Sequence, residues 1–169
     1  MKVFIPVIAA SALLASTVSG WSGTAIDTLT VKITISPECK VNPDGNATLD
    51  FKTPAILNKD ADADGTIKVL CTKGTTYSIG LDAGTNPSTQ GDVATRRMKS
   101  SSADGYVGYQ LYSDVDRKNV WGNTEKKDTV ASKIADGTAQ PYTVYGRALK
   151  TATGVAGAYS DQVTVTVTF

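Results

Sequence analysis

The sequence predicts an all-β fold, a sandwich of two antiparallel sheets, and three observations predict it. Branched apolar residues alternate with Thr, Lys, Ser or Gly at period two in several short stretches. Gly, Asn, Asp and Pro cluster between those stretches, and no segment carries a sustained helical period. Composition agrees, because Thr, Gly, Val and Tyr are prominent while only two Glu, Glu38 and Glu125, stand against fourteen Asp. A chain of 169 residues has room for one domain with a sizeable core and a targeting segment.

Met1-Lys2 leads into an apolar run from Val3 to Leu14, then small and polar residues from Ala15 to Gly23. One positive charge, about a dozen apolar residues and a small-residue tail predict a secretory signal peptide over residues 1–20 rather than a membrane anchor, which needs about 20 apolar residues. Val18-Ser19-Gly20 and Gly23-Thr24-Ala25 both suit cleavage, so the boundary stays open between 18 and 25. Without Lys2 the basic residues fall from 17 to 16 and equal the 16 acidic ones. Such neutrality argues against nucleic acid as a partner, since phosphate binding needs a basic surface.

The first strand expected is Thr28 to Ile35. Leu29, Val31, Ile33 and Ile35 point one way, and Thr28, Thr30, Lys32 and Thr34 the other. Two readings fit it equally: the first strand of the chain's own sandwich, or a strand that pairs with another molecule by addition to an open sheet edge. Cys39 and Cys71 are an isolated pair in an exported chain, most simply a disulfide, with two buried thiols as the alternative.

A short strand is expected around Thr48 to Phe51, then a polar Asp-rich loop from Asn58 to Gly65. Thr66 to Cys71 alternates, Lys73-Gly74-Thr75 turns, and Tyr77, Ile79 and Leu81 follow at spacing two, which predicts a hairpin. Asp82 to Asp104 reads as a long loop with a brief strand at Arg96-Arg97-Met98. Tyr106 to Tyr112 is a clear strand. Within the polar stretch Asp114 to Asp128, Trp121 is expected to cover a core edge. Val130 to Ile134 is too short to assign. Tyr142 to Leu149 and Val163 to Phe169 are the last strands, and in the latter Val163, Val165, Val167 and Phe169 alternate with Thr. About seven short strands with Gly-rich connections favour a sandwich over a barrel.

Chemistry has little foothold. The chain has no His, which excludes His-based triads and His metal sites, so no enzyme, no metal and no cofactor are expected. Asp60-Ala61-Asp62-Ala63-Asp64-Gly65 opens like a calcium loop, but the position for its bidentate Glu is Cys71. Asn46-Ala47-Thr48 fits a glycosylation sequon too common to carry weight. Arg96-Arg97 reads as two exposed arginines or, less simply, an anion patch.

Several motifs in order resemble one family: Cys39, Leu49-Asp50-Phe51, Thr66-Ile67 with Val69 and Cys71, Tyr77-Ser78-Ile79-Gly80-Leu81, Arg97-Met98, Tyr109-Gln110-Leu111-Tyr112-Ser113-Asp114, Trp121-Gly122, Tyr145-Gly146, and Gly157-Ala158-Tyr159-Ser160-Asp161 running into Val163 to Phe169. Together they are similar to the spore-coat protein U family, which includes the Csu-type, or archaic, pilins of the chaperone/usher pathway in Gram-negative bacteria. The resemblance implies an incomplete immunoglobulin-like sandwich whose missing strand comes first from a periplasmic chaperone and then, at an outer-membrane usher, from the next subunit. It implies a donor segment within residues 21–36, with Leu29, Val31, Ile33 and Ile35 as donor residues, and a pilin domain over 37–169. Val163, Val165, Val167 and Phe169 then line the acceptor groove and the edge offered to the chaperone. It also supports a Cys39 to Cys71 disulfide, export to the cell surface as a pilus or coat, and other copies or sibling subunits as partners. One departure is Lys52, where the family often carries Gly after Asp-Phe.

Overall fold

The computed structural model describes residues 20–52, 57–130, 133–152 and 154–169. The expected signal peptide lies almost wholly outside them. The chain divides into an N-terminal unit, Met1–Thr34, and a domain, Ile35–Phe169. Residues 20–38 contain no strand, so the alternating stretch from Thr28 to Ile35 is not a strand here. The physical reason is that alternation prepares a strand but only a hydrogen-bonded ladder makes one.

Among the described residues the domain has eight strands: β1 Cys39–Val41, β2 Ala61–Cys71, β3 Ser78–Leu81, β4 Arg97–Ser100, β5 Tyr106–Tyr112, β6 Ala139–Ala148, β7 Tyr159–Ser160 and β8 Val165–Thr168. Six form one sheet in the order β1-β2-β6-β5-β4-β7, and β3 pairs with β8 in a second. All pairings are antiparallel. The alternating residues meet between the sheets: Ile67, Val69 and Cys71 from β2, Tyr109 and Leu111 from β5, and Val144 from β6 pack against Tyr77, Ile79 and Leu81. This is an all-β, immunoglobulin-like sandwich. Trp121 lies inside that core, 1% exposed, and its indole N–H donates to the Ile79 carbonyl at 2.9 Å.

Four local expectations change. The Asp-rich stretch is half of β2, not a loop, because its aspartates point outward onto arginines remote in sequence. Asp62 accepts from Arg147 at 2.7 and 2.9 Å, and Asp64 from Arg117 at 2.8 Å. Bonding to Arg147 holds the Asp62 carboxyl below the usual carboxylate range against the opposing effect of burial, with Arg117 adding to it. The expected hairpin after Cys71 is a crossover, since β2 and β3 belong to different sheets. Thr48 to Phe51 is not a strand, although Leu49 and Phe51 pack on the core. Arg96 is neither exposed nor an anion patch. It is buried, and its guanidinium donates to the carbonyls of Leu81, Asp82 and Trp121 and to the side chain of Gln110. Burial lowers its pKa, while these acceptors satisfy its protons.

Lys52 explains its own departure. Its φ is +64°, in the left-handed region that favours Gly, and its N–H is held by the Asp50 carboxylate at 2.8 Å.

Candidate functional site

The site is built from two sheet edges, each with apolar residues on one side. One edge is β8. Its partner β3 is closed on its far side: Ile79 and Val130 exchange main-chain hydrogen bonds at 3.2 and 3.0 Å, and Leu81 N–H donates to Gly122 at 2.9 Å. The register pairs Leu81 with Val165 and Ile79 with Val167. Asp82 N–H donates to the Thr164 carbonyl at 3.1 Å, which fixes the alternation. Thr164, Thr166 and Thr168 therefore direct their main-chain groups toward β3, while Val165 and Val167 direct theirs outward.

The other edge is β1. Thr72 N–H donates to the Glu38 carbonyl at 2.9 Å and Asn42 N–H to the Lys68 carbonyl at 2.7 Å. By the same alternation the main-chain groups of Cys39 and Val41 face away from β2. β1 and β8 approach one another, so the two edges border one opening of the sandwich. Val163, Val165 and Val167 pack against the core but remain half-buried, as does Cys39, and Val41 is half-buried beside it. Phe169 lies just beyond β8 and is 59% exposed. An apolar wall whose rims, among the described residues, carry main chain without a strand partner is suited to take up an extended segment.

The rims are held firmly. Cys39 and Cys71 form a disulfide between paired positions of β1 and β2, 32 residues apart in sequence. At the start of β8, the Asp82 carboxylate accepts from Thr164 N–H at 2.8 Å and from Gly84 N–H at 2.9 Å. Burial opposes ionisation of Asp82, but these bonds outweigh it and hold its carboxyl below the usual range. Asp161 accepts from Thr85 N–H at 3.0 Å, from the Thr85 hydroxyl at 2.7 Å, from Asn86 at 2.9 Å and from the Tyr109 hydroxyl at 2.7 Å. Burial, reinforced by Asp161, pushes the Tyr109 phenol well above its ordinary value. Gly84, at φ +78°, is required there because a Cβ would overlap the Asp161 carboxylate. Further along the interior, Phe51 sits 6.5 Å from the Tyr109 ring, and Leu49 lies over Gly146, where a Cβ would come within 2.8 Å of its methyl groups.

In the chain's other unit Leu29, Val31 and Ile33 are 84–88% exposed, and Ile35, the first residue of the domain, is 74% exposed. The structure thus places Val163, Val165 and Val167 on one wall, with Phe169 at its end, and leaves the four aliphatics of the alternating segment uncovered. Sequence reasoning missed Val41, because a three-residue strand shows no readable alternation, and Asp82 and Asp161, whose hydrogen-bond donors lie far away in sequence at Thr164 and at Thr85, Asn86 and Tyr109. The Tyr159-Ser160-Asp161 motif was the available signal for Asp161.

The Spore Coat Protein U domain family matches residues 25–166. Protein U of Myxococcus xanthus is 30% identical over 178 residues, spanning 100% of this chain and 98% of that protein. Among solved structures, the CsuC-CsuE chaperone-tip adhesion subunit pre-assembly complex, from the archaic chaperone-usher Csu pili of Acinetobacter baumannii, contains a chain that superposes with a TM-score of 0.56 at 23% identity. That match covers 80% of this chain and 41% of the other, and it shows the shared fold.

Proposed function

The chain belongs to the Spore Coat Protein U domain family, and from that premise we propose that it is a structural subunit of a cell-surface pilus, assembled by the chaperone/usher pathway through donor-strand exchange and serving adhesion and biofilm formation. The observation that carries the reading is the pair of bare edges, β1 and β8, bordering a half-buried apolar wall in a chain that also holds an uncovered alternating segment. The solved structure of like fold, a complex of a chaperone with a tip adhesion subunit, suggests the partner.

In this reading residues 1–20 direct export, 21–36 donate a strand and 37–169 form the accepting domain. A periplasmic chaperone first lays a strand along β8. At the outer-membrane usher, Leu29, Val31, Ile33 and Ile35 of another copy or a sibling subunit replace it. The incoming strand bonds to the main chain of Val165 and Val167 on one side and of Cys39 and Val41 on the other. Burying four aliphatic side chains stabilises the joint by about 6–12 kcal/mol gross, before the ordering of the segment is subtracted. A donor and a groove at different places make a head-to-tail contact that does not close, so a fibre follows. The product stands on the surface of a Gram-negative cell and performs no catalysis. A second reading, a coat protein laid on a spore or cell surface by the same route, is favoured by the description of the family, Spore Coat Protein U.

The test compares the exported chain with a version lacking residues 21–36, each co-expressed with its chaperone. The full chain should give an SDS-resistant ladder on unheated gels. The shortened chain should copurify with chaperone and give none. An SDS-resistant ladder from the shortened chain would overturn the donor assignment.

A further inference from the structure

The donor segment joins β1 through only three residues, Ser36-Pro37-Glu38, and β1 is itself a rim of the acceptor groove. That arrangement creates a competing reaction. A reversal within these three residues folds Thr28 to Ile35 alongside its own β1, because hairpin loops of two to five residues suffice. A subunit closed in this way fills its own groove and leaves the polymer.

We infer that the Thr72 hydroxyl is a positioning group that suppresses this self-insertion, an inference that rests on the donor-strand reading. The Thr72 hydroxyl oxygen accepts from Glu38 N–H at 3.2 Å, and its proton reaches the Ser36 carbonyl at 3.3 Å. Thr72 N–H donates to the Glu38 carbonyl at 2.9 Å. One residue at the end of β2 therefore holds main-chain groups on both sides of Pro37. Residues 35–38 contain no turn or bend. Pro37 works in the same direction, since it fixes its own φ and biases Ser36 toward extended backbone. Reversing the chain here requires breaking the hydroxyl's two bonds. Thr72 is next to Cys71, so the disulfide that clips β1 to β2 also brings the hydroxyl into place.

The experiment refolds the full exported chain without chaperone at low concentration, at equal folded yield, and reads compact SDS-resistant monomer against SDS-resistant ladder on unheated gels. Thr72→Val keeps the branched shape and removes the hydroxyl. It should raise the monomer-to-ladder ratio about fivefold, the effect of one net hydrogen bond, and Thr72→Ser should return it to the original value. Pro37→Gly provides an independent route and should raise the ratio with Thr72 intact. An unchanged ratio in Thr72→Val, or a ratio in Thr72→Ser as high as in Thr72→Val, overturns the inference. Removal of residues 21–36 separates the two levels: if Thr72→Val chains with and without the segment give the same ratio, the donor-strand reading itself has failed.

Discussion

At the scale of single residues, one charged side chain sets the position of β8 without touching its apolar face. Asp82 receives the Thr164 N–H just before the strand begins, and its carboxyl is held below the usual range by that bond and by Gly84 despite opposing burial. A carboxyl whose folded pKa lies below its unfolded value near 3.9 contributes its full stability above that value and loses it as pH falls through the folded pKa. Acid unfolding should therefore be shallower below about pH 4 in Asp82→Asn than in the parent, with a lower denaturation midpoint for the variant at pH 7. Parallel acid limbs would remove Asp82 from the balance. Asp62, held down by Arg147, adds its own slope to both proteins and cancels in the comparison. Arg96 shows what a sequence hides at this scale. Nothing in Arg96-Arg97 distinguishes the two side chains. One is caged by carbonyls from Leu81, Asp82 and Trp121, while the other lies 4.2 Å over the Tyr106 ring. The cage is assembled from two stretches, Leu81-Asp82 and Trp121, that meet around Arg96 only on folding.

Among the elements, legibility follows burial. Tyr106 to Tyr112 was readable to the residue because one of its faces is fully buried and the other is not. The first half of β2 was unreadable as a strand, because Asp62 and Asp64 are turn formers whose stabilising arginines, Arg147 and Arg117, lie 85 and 53 residues away. The crossover to β3 was mistaken for a hairpin because a local pattern of strand, Gly turn and strand is common to both. Half of the candidate groove was visible in the alternation of Val163, Val165 and Val167; the other rim, Cys-Lys-Val in β1, was not. If β8 is the edge a chaperone engages, Val165→Asp should lower the yield of chaperone complex by about tenfold or more through a buried unpaired charge. Thr166→Asp, on the exposed face of the same strand, should leave the yield near that of the parent. Equal yields from the two variants would count against the groove.

For the molecule as a whole, the disulfide joins a three-residue strand to an eleven-residue one. Closing a span of 32 residues stabilises the fold by about 3.5 kcal/mol on the chain-entropy estimate. Replacing Cys39 and Cys71 together by Ser should lower the unfolding free energy by about that amount in a denaturant titration. A loss under about 1 kcal/mol would mean that β1 stays in place without the link. The placement of the bond at the first residue of β1 also has a mechanical side. Tension applied to the chain through residues 28–35 arrives at Cys39 and passes through sulfur to Cys71 on β2, whose long ladder with β6 anchors it in the sheet. The three pairings of β1 are thereby spared the load, and the groove rim keeps its shape while the molecule is being pulled.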